Sequence, residues 1–257
     1  MKNRNHKIKL SLAICTVISI FACSKDETTT NKDTTTTTTG VPVTSVVQSK
    51  YTSAVTISTS GNSITLKSNG TPDHVSPYYG VGHALYEAQM AGSTLNPGTI
   101  GVQNYAMTIP TNPVEATTKE VTALGAIGMA LNGVPIYNDR EGGNVPVDAG
   151  VLGSFDRAGA HPGPGNTYHY HCTGDFMGND DAKLIGFLRD GFPIYARKDM
   201  DGSYPSNLDA NGGHIGITAD FSTAIYHYHA SNTAYLGSRF YILKSGSYNG
   251  TKGTFTQ

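Results

Sequence analysis

The sequence predicts a mainly β, loop-rich single domain with few short helices, built as an internal duplication of two β-rich units related by a pseudo-two-fold. Alternating apolar runs are separated by turn residues, and 30 glycines and 12 prolines favour loops over helices. The units, at about 127–171 and 185–229, repeat one pattern of motifs. Helical periodicity is confined to one candidate, residues 82–92.

Residues 1–22 have the composition of a signal peptide. Four Lys or Arg residues and no acid precede an uncharged run at 10–22, which is too short to span a bilayer. Cys23 follows in a context that resembles the lipobox of bacterial lipoproteins, in which this cysteine is acylated, for example with palmitate. The alternative is ordinary secretory cleavage near Ala22.

Residues 23–40 are predicted to tether the folded domain to a membrane. Residues 24–27 look like the Lys-acidic-acidic tag that exports some lipoproteins, and the Thr-rich segment 28–40 has too few apolar residues to fold. We therefore expect an outer-membrane lipoprotein, anchored through Cys23 and exposed on the cell surface or otherwise facing the periplasm. Residues 41–257 have the length of one domain.

Removal of the signal peptide leaves 14 of the 18 Lys and Arg residues against 19 Asp and Glu residues, a net charge of −5. This balance argues against a nucleic-acid partner, because phosphate binding requires a basic surface. With Cys15 in the signal peptide and Cys23 acylated, Cys172 is the remaining thiol. The folded domain is therefore predicted to have no disulfide, so that packing or a bound metal must stabilise it.

Three hairpins are predicted along the chain. Residues 55–68 form two alternating runs around a Ser-Gly-Asn turn. Segments 127–137 and 185–195 match at six of eleven positions and place Asn-Gly or Asp-Gly between apolar runs. Residues 239–244 are a further strand candidate.

The repeated pattern ends in the tetrapeptide Tyr-His-Tyr-His, at 168–171 and again at 226–229. The interval between the two tetrapeptides equals the interval between the two hairpin segments. A third shared element, Asp-x-x-Gly-small-His, lies at 156–161 and 209–214. Each unit therefore supplies three histidines and one aspartate.

This pattern favours metal binding. Alternate side chains of a strand point to opposite faces, so the two imidazoles of a tetrapeptide share one face and can close on one ion, with a third imidazole from a Gly-rich loop. Asp156 and Asp209 are predicted to fix the imidazole tautomers. Whether the units form one shared site or two stays open, and the structural alternative is that the histidines only brace half-buried strands. The predicted ligands suit copper or zinc and are His161, His169, His171, His214, His227 and His229.

These motifs resemble the YHYH proteins, an uncharacterised family named for the tetrapeptide. The segment Asn-Gly-Thr-Pro-Asp-His at 69–74 looks like a motif of that family, and Leu-Asn-Gly-Val-Pro-Ile-Tyr, Asp-Gly-Phe-Pro-Ile-Tyr and the loop histidines also match. The resemblance spans roughly residues 69–240 and implies a fold unit rather than an activity. Ala158 and Asn211 stand where many relatives have a cysteine, so the resemblance does not carry a cysteine-containing site over to this chain.

Three other residues are weaker candidates. His74 is an additional candidate for a metal ligand or a base, with a local structural role as the alternative. His83 is predicted to be a solvated or packing residue. Cys172 is predicted to be a small buried apolar residue, with its thiol on the tyrosine face if the strand continues. The alternative is that it is a metal ligand if the strand turns there.

The sequence thus favours a surface lipoprotein that binds copper or zinc. The first alternative is a metal-dependent hydrolase or copper redox enzyme that uses the same histidines, with Asp73, Asp156 or Asp209 as general base. The second is a surface interaction module without metal. No substrate follows from the sequence, which lacks the serine-hydrolase, phosphate-loop and dinucleotide motifs.

Overall fold

The computed structural model describes residues 40–257. The predictions on the signal peptide, on Cys23 and on the tether up to residue 39 fall outside these residues. Within 40–257 the chain is mainly β, as predicted, and its helices are short: α1 (Thr44–Lys50), α2 (Ala149–Leu152) and the 3-10 turns Pro77–Tyr79, Pro164–Asn166 and Tyr235–Gly237. None of the helices in this range has the length and apolar character needed to cross a membrane.

The strands of the described residues are short, and each contains two to six residues. They are, in chain order, β1 (Val55–Ser60), β2 (Ser63–Ser68), β3 (Tyr105–Pro110), β4 (Gly128–Ala130), β5 (Pro135–Ile136), β6 (Arg140–Glu141), β7 (Val145–Pro146), β8 (Ala160–Gly163), β9 (Thr167–Tyr170), β10 (Cys172–Thr173), β11 (Leu184–Leu188), β12 (Pro193–Tyr195), β13 (Gly213–Gly216), β14 (Ile225–His229), β15 (Tyr241–Ile242) and β16 (Phe255–Thr256).

A four-stranded sheet has the antiparallel order β1-β2-β3-β16. The predicted hairpin at 55–68 is confirmed, and Gly61 supplies the positive φ of +54° that its tight turn requires. Ile64, Leu66 and Met107 are buried and join the large apolar core beneath this sheet.

An eight-stranded sheet carries the histidine motifs and has the order β13-β14-β12-β11-β4-β5-β9-β8. The antiparallel pair β4–β11 forms its centre. On the β4 side, β5 pairs in parallel with β9, which pairs antiparallel with the edge strand β8. On the β11 side, β12 pairs in parallel with β14, which pairs antiparallel with the edge strand β13. The two predicted Asn-Gly and Asp-Gly hairpins, β4–β5 and β11–β12, are confirmed. The internal duplication itself stays a prediction.

The predicted helix at 82–92 is wrong, because this segment forms turns and irregular backbone. Gly82 and Gly92 adopt positive φ, and the backbone of Leu85 bonds to Ser76 instead of to its own helical turn. The segment is largely exposed, so there is little apolar burial to offset the cost of starting a short helix. The strand predicted at 239–244 is confirmed as the two-residue β15, which pairs with β10.

Candidate metal centres

The Tyr-His-Tyr-His tetrapeptides form strands β9 and β14, and their side chains alternate as predicted. His169 and His171 lie close together on one face of β9, whereas Tyr168 and Tyr170 are buried in the main apolar core on the other face. The same alternation on β14 brings the two imidazoles of its tetrapeptide within a ring-centroid distance of 4.9 Å.

The third histidine of each group lies on the neighbouring edge strand and not in a loop, which corrects the expectation from the sequence. His161 on β8 lies opposite His169 on β9, and His214 on β13 lies opposite His227 on β14. Residues directly opposite each other in an antiparallel pair have Cβ atoms about 4.5–5.5 Å apart. Cross-strand pairing therefore places all three imidazoles of a unit together.

Cluster one consists of Glu141, His161, His169 and His171, and one ligand atom from each lies within 4.8 Å of all the others. The Nε2 atoms of His169 and His171 are 2.9 Å apart. The Oε1 atom of Glu141 is 2.9 Å from His171 Nε2 and 3.3 Å from His161 Nε2. The three histidines are buried, and the carboxylate is partly exposed.

Cluster two consists of Asp199, His214, His227 and His229, which meet the same 4.8 Å limit. The Nε2 atom of His214 lies 3.0 Å from that of His227 and 3.3 Å from that of His229. The Oδ1 atom of Asp199 is 3.1, 3.3 and 3.8 Å from the Nε2 atoms of His214, His229 and His227. The structure thus places the six predicted histidines in two separate clusters, not in one shared site.

Backbone carbonyls fix the tautomer of the four tetrapeptide histidines. A carbonyl oxygen only accepts hydrogen bonds, so each of these rings carries its proton on Nδ1 and presents a lone pair at Nε2. The four donations run from His169 to Thr167 (2.8 Å), from His171 to Asn138 (2.6 Å), from His227 to Ile225 (3.0 Å) and from His229 to Ala196 (2.8 Å).

Side chains orient the two edge-strand histidines in the same way. The Ser154 hydroxyl donates to the Val151 carbonyl at 2.6 Å, so its oxygen accepts from Nδ1 of His161 at 2.7 Å. The Nδ1 atom of His214 donates to the Asn207 side-chain oxygen at 2.8 Å. In their neutral form, all six rings therefore direct an Nε2 lone pair into the clusters.

Three lone pairs and one carboxylate meeting at a point repel one another unless a cation lies between them. Among the described residues, Glu141 Oε1 and His161 Nε2 are buried and have no hydrogen-bond partner. Such orphaned polar atoms are uncommon in folded proteins and call for an explanation, such as an ion. The donor set and its orientation fit a bound metal ion.

A proton is a poor candidate for this cation. Burial, together with the neighbouring His171 and His161, holds the pKa of His169 well below its usual range. Burial also lowers the pKa of His161 and His229 and lowers that of His227 to about 4. At neutral pH these rings therefore keep the Nε2 lone pairs that a metal requires.

The spacing of the ligand atoms also suits a tetrahedral ion. Ligands bound at about 2.0–2.1 Å in a tetrahedron lie roughly 3.3 Å apart. Five of the six distances between a histidine Nε2 and the carboxylate oxygen of its cluster are 2.9–3.8 Å, and the distance from His169 to Glu141 lies within 4.8 Å. Two clusters of histidines and an acid thus have metal-binding geometry.

The tyrosines of the tetrapeptides hold the opposite face. Each hydroxyl bonds to a polar residue of the repeated motifs: Tyr168 donates to Asp156 (2.5 Å), Tyr226 to Asp209 (3.0 Å) and Tyr228 to Asp190 (2.5 Å), while Asn132 donates to Tyr170 (2.9 Å). Asp156 and Asp209 therefore anchor tyrosines, and the expectation that they fix imidazole tautomers is wrong. The tyrosines and histidines of β9 and β14 point to opposite faces, so a carboxylate that bonds to a tyrosine lies away from the histidines.

His74 and Asp73 also belong to the tyrosine face. The Nε2 atom of His74 lies 2.8 Å from the Tyr170 hydroxyl, and its ring stacks on Phe176 at a centroid distance of 4.6 Å. Asp73 accepts a hydrogen bond from Asn132 at 2.9 Å. His74 is a member of neither cluster, so its contacts favour the local structural role.

His83 has the exposed environment predicted for it, whereas Cys172 is buried as predicted but packs with Phe155 and not with the tyrosines of the main core. His83 is exposed and stacks on Tyr79 at 4.1 Å. Cys172 is free and fully buried in a small apolar cluster with Phe155 and Phe240, where burial raises the pKa of its thiol. Neither cluster of candidate ligands includes this thiol.

Sequence reasoning missed the acidic member of each cluster. Glu141 lies on the two-residue strand β6, and Asp199 lies in a loop, so neither has a local pattern. The interval between these two acids along the chain equals the interval between the two tetrapeptides. A search of the repeats for acids at this offset finds the pair.

Comparisons with known proteins return one family. Residues 106–207 match the family model described as YHYH protein, which confirms the resemblance over this range. The matched range contains all of cluster one and the Asp199 of cluster two. No curated protein and no solved structure matches the chain.

Proposed function

We propose, from the YHYH domain at residues 106–207 and the two clusters, that this protein binds a transition metal ion at each cluster. The observation that carries the proposal is the common orientation of the six imidazoles. Every Nδ1 atom donates to a fixed acceptor, and every Nε2 lone pair points at a carboxylate and two other imidazoles. A purely structural role of the histidines in the strands would not require their Nε2 lone pairs to face one another.

Copper or zinc is the proposed ion. Imidazole nitrogen is a common ligand of both, whereas calcium and magnesium prefer sites made of oxygen atoms. Each cluster offers three imidazoles and one carboxylate, and no thiolate. Three imidazoles with a carboxylate complete a four-coordinate zinc site.

We further propose that the protein acts as an outer-membrane lipoprotein anchored through acylated Cys23. This part rests on the signal-peptide composition and the lipobox-like context in the sequence. A Thr-rich tether at 28–40 would hold the metal-binding domain away from the membrane, exposed at the cell surface. Capture or delivery of copper or zinc fits this location.

Binding is better supported than hydrolysis. The candidate bases Asp73, Asp156 and Asp209 bond to residues of the tyrosine face. A general base must lie within hydrogen-bond reach of the water or substrate proton that it removes. The alternative of an interaction module without metal leaves Glu141 Oε1 without a partner.

Elemental analysis of the full mature chain, produced without a histidine tag, tests the proposal. We expect two equivalents of copper or zinc per chain, and one equivalent in each of the double variants H169A/H171A and H227A/H229A. The variant H83A is the matched control, because His83 is exposed and outside both clusters. Folded wild-type protein that takes up neither ion would overturn the proposal.

A further inference from the structure

The two clusters share their ligand types but differ in the residues that cover them. In cluster one, Phe155 stacks on His171 with ring planes 9° apart and meets His161 edge-on at 4.9 Å. Tyr137 stacks on His169 at 3.8 Å. Aromatic rings therefore seal this cluster on two sides.

The corresponding positions around cluster two carry no aromatic ring that stacks on a histidine. Aligning the Asp-x-x-Gly-small-His motifs at 156–161 and 209–214 places Leu208 opposite Phe155 and Asn207 opposite Ser154. Ser154 and Phe155 are buried, whereas Asn207 is exposed and Leu208 is partly exposed. His214, which Asn207 orients, is itself partly exposed.

The second aromatic residue also fails to stack on a histidine of cluster two. Tyr195, which ends the second hairpin segment as Tyr137 ends the first, meets His227 edge-on at 5.3 Å instead of stacking on it. Its hydroxyl is 2.7 Å from Thr218 Oγ1 and donates to Asp220 at 2.9 Å, and these contacts hold the ring away from the imidazoles.

A cavity of about 10 Å³ lies beside cluster two, next to Tyr195. A cavity of this size holds about one water molecule. Its walls include Asp199, His227 and His229 together with Tyr195, Lys198 and Thr218. An ion in cluster two would thus have room for one small ligand from solvent.

We infer that the clusters have different roles: cluster one keeps its ion as a structural element, and cluster two exchanges its ion and accepts a small exogenous ligand in the adjacent cavity. The inference rests on the proposed function. The volume limits this ligand to about the size of one water molecule, such as water, hydroxide or fluoride, and Thr218 and Lys198 in the wall can donate hydrogen bonds to it.

Cobalt-loaded protein tests both parts of the inference, because Co²⁺ accepts the same ligands and has a visible spectrum that responds to coordination. On addition of EDTA we expect two phases of cobalt release, with rates at least about tenfold apart. The fast phase should be absent in H227A and the slow phase absent in H169A. Fluoride, which is about the size of a water molecule, should change the spectrum of H169A and leave that of H227A unchanged.

A reciprocal pair of variants tests the cause. F155L should accelerate the slow phase, and L208F should retard the fast phase, with folding of each variant checked by circular dichroism. Two bound equivalents that leave at one rate, or fluoride that perturbs cluster one, would overturn this inference alone. Folded protein that binds no cobalt, copper or zinc would overturn the proposed function as well, so the two failures are distinguishable.

Discussion

Glu141 and Asp199 have the same separation along the chain as the two tetrapeptides, and each places one carboxylate oxygen among three imidazole nitrogens. The shortest distance to an Nε2 atom is 2.9 Å for Glu141 and 3.1 Å for Asp199. The two halves of the chain thus build their clusters from the same donor types, although Glu and Asp differ by one methylene.

Neutralising either carboxylate should weaken the corresponding site. E141Q and D199N keep the size of the side chain but remove the negative charge, so we expect affinity for Zn²⁺ at that site to fall by at least about tenfold. Competition with a chromophoric chelator measures the affinity. E115Q, at an exposed glutamate outside the clusters, is the control, and an unchanged affinity in E141Q would contradict the assignment.

Replacing Asp156 should reduce stability and leave the metal content intact. Its buried carboxylate accepts hydrogen bonds from Ser76 and Tyr168, both at 2.5 Å. Both hydroxyls donate to Oδ2, and the Ala158 N–H donates to Oδ1. Asparagine has one acceptor oxygen, so D156N loses either both hydroxyl bonds or the Ala158 bond, and we expect the free energy of unfolding to fall by about 2–3 kcal/mol. Urea denaturation measures this change, and D209N, at the exposed counterpart, should cost less. Loss of one metal equivalent in D156N would show that the carboxylate acts on the cluster instead.

Lys244 should make stability depend on pH in the alkaline range. Burial lowers the pKa of its ammonium to about 8, from 10.5 in an exposed lysine. Between these values the unfolded chain binds the proton and the folded chain does not, so this group increases stability as pH rises. From about pH 8 to about pH 10 the gain should be about 2 kcal/mol.

The variant K244M isolates this contribution, because methionine has a similar length and no charge. Burial raises the pKa of Tyr78 to about 12, and such tyrosines oppose the effect above about pH 10. The comparison with wild type is therefore made below that pH, by urea denaturation. Identical pH profiles for the two proteins would contradict a buried amine.

Cys172 should be unreactive in the folded protein. Its thiol is fully buried, and burial raises its pKa, so the reactive thiolate is scarce. We expect an aromatic disulfide reagent to label it only after unfolding, and C172A to retain both metal equivalents. Rapid labelling of the native chain would show that β10 opens readily.

Local patterns in the sequence predicted the parts of the site that depend on neighbouring residues. The alternation of His169 with Tyr168 and Tyr170 follows from the two-residue period of a strand. The tight turns at Gly61 and Gly133 follow from the φ that only glycine adopts without strain.

The rest depends on contacts between residues far apart in the chain. The motif predicts Asp156 beside the imidazoles because this residue shortly precedes His161, but Ser76, from a distant part of the chain, holds it on the other face. Glu141 enters cluster one from β6, which pairs with β7 in a separate two-stranded sheet. An approach from another sheet has no signature in a short window of sequence.

His161 and His214 lie on β8 and β13, which are the two outermost strands of the eight-stranded sheet. Unpaired outer strands expose hydrogen-bonding groups that invite other chains to add to the sheet. An ion bound by one of these histidines would also be bound by the tetrapeptide histidines at the adjoining strand, β9 or β14, and would hold the edge strand in place. Chelation of both ions should therefore loosen the borders of the sheet and promote self-association.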